Sequence, residues 1–164
     1  MRELTEGYPH GPMRRKDREI TDRAEIDAIL RSAKVMHVAL ADNDIPFLVP
    51  VFFGYDGTSL YFHSAPTGTK MEILKRNSRV CFEVSLDQGV IESEKACDFE
   101  ARHRTVIGYG KAVLIEDEEV KIKALDLIVE KLADKKFTYP KENLGVTAVV
   151  RIDCESIKGK QHGC

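Results

Sequence analysis

The segment LYFHSAPTGTKMEILKRNSRVCFEV, residues 60–84, passes from strand to helix and back to strand within a short span. SLYFH carries the aromatic pattern of a strand, and Pro66 and Gly68 then interrupt it. TKMEILKRN is typical of a short helix with Met71 and Leu74 facing inward, and RVCFEVSL is again a strand. The segment therefore predicts short elements joined by tight connections.

Four further stretches continue the strand pattern, which gives about six strands in all. They are VMHVALA (35–41), IPFLVPVFFGY (45–55), TVIGYGKAVLI (105–115) and GVTAVVRID (145–153). Most are consecutive and can pair as antiparallel neighbours. Because regular βαβ alternation is missing, a doubly wound parallel sheet is disfavoured. We predict a mainly β fold with peripheral helices, in the form of a small closed or split barrel.

Prolines and glycines mark special positions in two of these strands. Pro46 and Pro50 lack an N–H group, so each requires an edge or a bulge where no ladder donor is needed. Gly108 and Gly110 interrupt the strand 105–115, which indicates a bulge or a close approach of another backbone.

Three helices are predicted around the strands. The first covers 22–32, with Thr21 as its N-cap; the second is TKMEILKRN; the third covers 117–134. The third helix carries an apolar stripe made of Val120, Ala124, Leu125, Ile128 and Leu132.

The remaining parts of the chain are less regular. Residues 87–102 show no clear period, so we expect a long connection there that is functional or ordered by itself. Residues 1–20 are expected to form an extended or loosely attached N-terminal arm, and residues 21–164 a single domain.

Charge and composition exclude several classes of partner. The chain has 25 Lys and Arg against 27 Asp and Glu, a net charge of −2. That balance gives no attraction to nucleic acid or to a membrane surface. The sequence contains no run of 18 apolar residues, so no membrane span is predicted. Residues 1–20 do not show the pattern of a signal peptide. We expect a cytoplasmic protein whose four well-separated cysteines are reduced thiols.

Few residues stand out as chemical candidates, and no dinucleotide, P-loop or nucleophile-elbow motif is present. The loop between His63 and Lys70, with Thr69, could bind a phosphate at a helix start. On spacing alone, an ordinary strand–turn–helix whose lysine points into water is the better explanation of this loop. His37, within an apolar strand, is interpreted as a core or interface histidine. No metal site is predicted, because His162 with Cys164 is better explained as a disordered end.

Four segments taken in order resemble the nitroimidazole-reductase (Nim) proteins within the pyridoxamine 5'-phosphate oxidase-like FMN-binding split barrels. They are MRRKDREITDRAEIDAIL, IPFLVPVFFGYDG, LYFHSAPTGTKMEILKRNSRVCFEV and HRTVIGYGKAVLIEDEEVKIKAL. Each segment alone is only weakly specific. The four segments in this order and at this spacing are specific to the family. The resemblance covers about residues 13–162.

The resemblance implies a six-stranded antiparallel split barrel that forms a homodimer, with two FMN sites in clefts between the subunits. Position by position, it implies that one strand runs beside the flavin ring. This strand contains Leu48, Val49, Pro50 and Val51. It places His63, Ser64 and Ala65 beside the flavin and its ribityl chain, and Thr69 and Lys70 on the phosphate. Arg104 and Thr105 match positions that reach FMN, often from the partner subunit.

The implied activity is reduction of a nitro-aromatic or similar small acceptor by an FMN-dependent oxidoreductase. Electrons would come from a nicotinamide donor, and His63 would be the catalytic residue. Its alternative role is a hydrogen bond to the loop that follows it. Two other functions stay open, namely a flavin-binding module without turnover and a haem protein with His63 or His162 as ligand. Vitamin B6 oxidation is not expected, because the chain lacks the family's arginine-rich C-terminal segment.

Overall fold

The computed structural model describes residues 11–164, which form seven strands and four helices. The strands are β1 (Glu19–Ile20), β2 (Val35–Asp42), β3 (Ile45–Tyr55), β4 (Ser59–Ser64), β5 (Arg79–Ile91), β6 (Glu100–Ile115) and β7 (Ala148–His162). The helices are α1 (Arg23–Ser32), α2 (Thr69–Arg76), α3 (Glu118–Val129) and α4 (Lys141–Gly145). Residues 1–10, half of the predicted N-terminal arm, lie outside the described residues.

Six of the strands close into a barrel. The order is β7-β4-β3-β2-β5-β6, and a second pairing joins β6 back to β7. Every pairing is antiparallel. The short β1 adds to β7 through the pair Glu19–Lys160. The predicted mainly β, antiparallel split-barrel fold is confirmed.

The barrel is split between β3 and β4. Only three pairs join these strands, at Phe53–Phe62, Gly54–Tyr61 and Tyr55–Leu60. Residues 45–52 of β3 pair with β2 alone. Pro46 and Pro50 both lie in this stretch, which has a neighbouring strand on one side only, as their missing N–H groups require.

Alternate residues of the strands fill the barrel interior. On β2 the buried residues are Met36, Val38 and Leu40, which are at most 2% exposed. Residues of α1 and α2 pack against this core, among them Leu30 and Met71, and Leu74 is partly buried against it. The predicted inward face of α2 is confirmed.

A second apolar cluster lies outside the barrel, where α3 covers β3 and β4. Ala124, Ile128, Leu144 and Val149 are buried in it. α3 approaches β3 closely at Gly54, since a Cβ at this glycine would lie 2.6 Å from the Cβ of Leu127. A residue with a side chain at position 54 would push the helix away.

Both predicted roles of the β6 glycines are present. A Cβ at Gly108 would overlap the Phe82 ring, and one at Gly110 would overlap the carbonyl of Asp153. The β6–β7 register also shifts between Tyr109 and Gly110, which is a bulge. These glycines let β7 lie close along β6.

The helix boundaries differ from the prediction in three places. Asp22, and not Thr21, caps α1, because its carboxylate accepts a hydrogen bond from the Ala24 amide at 2.9 Å. α3 ends at Val129, so Leu132 lies beyond it and is 42% exposed. A fourth helix, α4, follows Pro140, where the sequence shows too few turns to reveal a period.

Of residues 87–102, only 92–99 connect two strands, so the connection is shorter than predicted. β5 continues to Ile91 and β6 begins at Glu100, with a register shift between Asp87 and Val90. Most of these residues are exposed on both faces of the hairpin. Two-sided exposure removes the alternation of polar and apolar residues by which a strand is recognised.

The tail after residue 153 was also predicted wrongly. β7 extends to His162, which pairs with His103 of β6 and contacts the carboxylate of Glu100. Ladder hydrogen bonds to β6 hold this segment although its sequence is polar. The near end of the predicted N-terminal arm is likewise paired, through β1, and Ile20 is 4% exposed.

The four cysteines are free thiols. None of the helices within residues 11–164 combines the length and the apolar character needed to cross a bilayer.

Candidate functional site

The split in the barrel opens at the end of β4. Phe62 is the last residue of β4 that pairs with β3, and beyond it His63 and Ser64 pair only with β7. The chain then turns through residues 65–68 into α2. Pro66 and Gly68 lie in this turn, and both are exposed. The residues predicted from the segment 63–70 therefore surround the mouth of the split.

The start of α2 has no side-chain cap. Its N-cap is Gly68, with φ of 109°, a conformation that favours glycine, and nothing lies within 4 Å of where a Cβ would be. The first amides of a helix have no partner within the helix. Thr69, Lys70 and Met71 thus present free N–H groups, together with the positive end of the helix dipole.

Lys70 adds a cation to this helix start. Its Nζ lies 5.5 Å from the centroid of the Phe62 ring, and burial lowers the pKa of the ammonium group. No carboxylate within the described part of the chain forms a salt bridge with it. By contrast Lys75, on the same helix, pairs with Glu72 at 3.0 Å. Lys70 is therefore a half-buried cation without a counter-charge.

His63 lies next to this cation at the end of β4. Burial and then the charge of Lys70 lower the pKa of its imidazole below the ordinary value of 6.5. The ring is consequently neutral at pH 7. It forms no hydrogen bond to any residue between 11 and 164, the following loop included. It lines a pocket of about 250 Å³ beside α3 and α4.

The β3 residues predicted to border a ligand lie along the open edge of the split. Leu48 is 62% exposed and Pro50 is also exposed, whereas Val49 and Val51 pack against the core. Phe52, not predicted as a site residue, is 48% exposed. Phe53 pairs with Phe62, so Phe52 and His63 are the next residues along the two strands, at the point where the strands stop pairing.

Arg104 and Thr105 lie elsewhere in the same chain. β2 and β5 separate their strand β6 from β3, a distance of about 14 Å at roughly 4.8 Å per strand. Arg104 donates to Glu25 at 2.5 Å, on the face of β6 that meets α1. Thr105 lies on the opposite, outer face. One chain therefore does not bring these two residues to the split.

A row of polar side chains on this outer face escaped the sequence analysis. His37 Nδ1 lies 3.1 Å from Glu83, whose carboxylate also accepts from the Ser85 hydroxyl. Ser85 Oγ lies 3.0 Å from Thr105 Oγ1, which is 3.1 Å from His103 Nδ1. Their i, i+2 spacing on β5 and β6 was a usable signal.

Large apolar side chains surround the polar row. Val35, Leu48, Phe52 and Ile107 are between 40% and 62% exposed on the outer face. His37 is on this face and not in the core. No group of His, Cys, Asp and Glu within residues 11–164 is arranged to hold a metal ion.

A closed antiparallel barrel in which two neighbouring strands separate over much of their length is a split barrel. The model of the pyridoxamine 5'-phosphate oxidase family matches residues 22–161. The chain belongs to that family.

Solved structures with this fold include flavoproteins. A protein described as a 5-nitroimidazole antibiotic resistance protein, from Bacteroides thetaiotaomicron VPI-5482, is 33% identical, with 87% of this chain and 85% of that chain covered and a TM-score of 0.78. The flavocytochrome Anf3 from Azotobacter vinelandii is 28% identical, with 93% and 73% covered and a TM-score of 0.80. The FAD and heme binding protein from Mycobacterium smegmatis, 19% identical, shares the fold over 90% and 74% with a TM-score of 0.81. None of the curated proteins matches the chain.

Proposed function

We propose that the protein is a dimeric flavin-dependent oxidoreductase that binds FMN at the barrel split and reduces nitroimidazoles or similar small acceptors with electrons from a nicotinamide donor. Membership of a family with flavin-binding relatives and the resemblance to a nitroimidazole resistance protein support this proposal.

The observation that carries it is Lys70 at the uncapped start of α2. A half-buried ammonium without a counter-charge, next to free helix amides, suits a phosphate dianion. The residues present therefore fit the phosphate end of FMN, with Lys70 and Thr69 holding it. Leu48 and Pro50, exposed along the edge of the split, offer an apolar border for the ring system.

In the proposed dimer, the second subunit supplies Thr105, which lies far from the split of its own chain. Thr105 faces outward about three strands from the split, amid exposed apolar side chains. In a two-fold dimer the outer face of one subunit lies against the other, so each site occurs twice. Thr105 of one subunit would then approach the split of its neighbour.

When bound, FMN supplies two-electron redox chemistry. Reducing a nitro group to a nitroso group consumes two electrons and two protons and releases water. The neutral ring of His63, at the edge of the split, carries an N–H that can be donated to the acceptor and replaced from solvent. His63 is thus the proposed catalytic residue, while β3 and α2 orient the cofactor.

Titration with FMN, followed by flavin fluorescence, tests the binding site. Lys70→Ala should weaken FMN binding by about 1.5–3 kcal/mol, the range for a hydrogen bond to a charged group. Lys75→Ala, on the same helix and already paired with Glu72, is the matched control and should leave the affinity unchanged. Equal dissociation constants for Lys70→Ala and the parent would rule out this phosphate site.

Turnover distinguishes a reductase from a flavin carrier. Steady-state oxidation of NADH or NADPH should depend on added nitroimidazole, and a carrier would show none. The absorption spectrum of the purified protein separates flavin bands from the Soret band of a haem protein.

A further inference from the structure

A pocket lies beside His63, and apart from His63 its lining residues take no part in the proposed cofactor site. It lies between the end of β4, the second half of α3, and α4, and its volume is about 250 Å³. Most of its wall is aliphatic, formed by Leu125, Ile128, Val129, Leu132 and Leu144. A pocket with such a wall favours an apolar ligand.

No Asp, Glu, Lys or Arg side chain lines the pocket, and its polar groups divide into two kinds. The Tyr139 hydroxyl donates to Asp126 at 2.9 Å, and the Thr147 hydroxyl donates to the backbone carbonyl of Asn143 at 2.7 Å. In contrast, the His63 ring and the side-chain amide of Asn143 make no hydrogen bond to a described residue. These two groups, on residues that are both exposed, are thus available to a ligand.

The volume is large enough for one aromatic ring. An engineered apolar cavity of about 150 Å³ binds benzene, and sites for drug-sized ligands begin at about 300 Å³. A volume of about 250 Å³ therefore holds a single ring with one or two substituents. A charged substituent would be desolvated without a partner, which is costly.

We propose that this pocket binds an uncharged, monocyclic aromatic acceptor, with His63 and Asn143 as its polar contacts. The Asn143 amide donates to an oxygen of the polar substituent and orients the ring, while Leu132 closes the outer wall. The proposal rests on the proposed function in one respect, because it takes the acceptor to be reduced beside His63. Asn143 is then a residue that determines which acceptors are used.

Calorimetric titration of the oxidised holoprotein tests the pocket without any electron donor. The probes are 1,2-dimethyl-5-nitroimidazole and 2-methyl-5-nitroimidazole-1-acetic acid, which differ mainly in the carboxylate. The uncharged probe should bind. The probe that carries the carboxylate should bind at least about tenfold more weakly, because its charge would be desolvated without a partner. Leu132→Trp should abolish binding by filling the pocket, and Asn143→Leu should weaken it roughly 2–12-fold, the loss of one neutral hydrogen bond.

Val146→Trp is the matched control, since Val146 lies in the same segment, is 64% exposed and does not line the pocket. It should bind the uncharged probe like the parent. The proposal is overturned if the parent fails to bind this probe, if Leu132→Trp and Asn143→Leu both bind it unchanged, or if the carboxylate binds equally well. Far-UV circular dichroism checks that each variant is folded.

The same titration separates this inference from the proposed function. Binding is measured without a donor, so a protein that binds the probe but never oxidises a nicotinamide contradicts the reductase and not the pocket. Conversely, turnover that persists unchanged in Leu132→Trp supports the reductase and contradicts the pocket as its acceptor site.

Discussion

His63 and Lys70 are the two residues on which the chemistry proposed for the split depends. Burial lowers the pKa of both groups, and the charge of Lys70 further lowers the pKa of His63. The imidazole is therefore a neutral donor near pH 7 instead of a permanent cation. Protonation of His63 would place two positive charges side by side, so the neutral form is favoured until the pH falls below 6.5.

Replacing His63 by Ala tests whether this ring takes part in turnover. Reduction of a nitroimidazole should fall by about 10²–10⁴-fold, the range for a general acid, while FMN affinity and folding stay close to those of the parent. Stopped-flow reoxidation of the reduced flavin measures the step directly. Reoxidation as fast as in the parent would leave His63 without a catalytic role.

The position of His63 at a strand end was readable from the sequence, whereas its surroundings were not. SLYFH and the break at Pro66 and Gly68 predict where β4 ends. The pocket beside His63, however, is built by α3 and α4, more than 60 positions later, and depends on how those helices pack. Local patterns do not contain that information.

At the scale of the elements, two contacts fix α3 and the residues just after it against the rest of the molecule, in addition to the apolar cluster. The backbone of α3 lies against Gly54 of β3. Just beyond its end, Lys131 Nζ donates to the carbonyls of Leu30 at 2.6 Å and Ala33 at 3.0 Å and lies over the Phe53 ring. The lysine thereby joins the end of α1 to the segment that leads to α4.

The cap of α1 provides a test with its own internal control. Asp22→Ala should lower the free energy of unfolding by about 1 kcal/mol, because the Ala24 amide loses its acceptor. Thr21→Ala should change it by less than about 0.5 kcal/mol, as for a surface residue without such a role. Urea denaturation gives both values, and equal losses in the two variants would contradict the assignment of the cap.

Elements with one buried and one exposed face were predictable, and those without this contrast were not. On β2, Met36, Val38 and Leu40 point into the barrel and the residues between them point outward, so the two-residue period of a strand is visible in the sequence. The outer half of the β5–β6 hairpin is exposed on both faces, and the end of β7 is mostly polar, with Ile157 packed against the core. Their strand structure comes from pairing with neighbours, which a single stretch of sequence does not display.

For the whole molecule, the outer face predicts self-association. Exposed apolar side chains surround the polar row from His37 to His103, an arrangement typical of a surface that another protein covers. The dimer stays a prediction, and it would give Thr105 access to the flavin site proposed at the split of the neighbouring subunit.

Ile107→Asp tests this dimer. Ile107 is 41% exposed beside Thr105, and in a two-fold interface the new carboxylate is buried twice. Light scattering should give twice the 18.5 kDa chain mass for the parent and one chain mass for the variant, with FMN affinity reduced. Val90→Asp, 58% exposed at the far end of the hairpin, should remain dimeric. A monomeric parent with full FMN affinity would refute the shared site.

The ring closure through β7 has a consequence for how the chain acquires its structure. β2 with β3, and β5 with β6, are hairpins that form from nearby residues, but β7 must find β4, β6 and β1 from distant parts of the chain. The pair of Glu19 with Lys160 spans almost the whole described sequence. Because distant pairings lose much chain entropy before they gain contacts, refolding should take milliseconds to seconds and not microseconds. The hairpins should gain protection from hydrogen exchange early, and β7 should join them last.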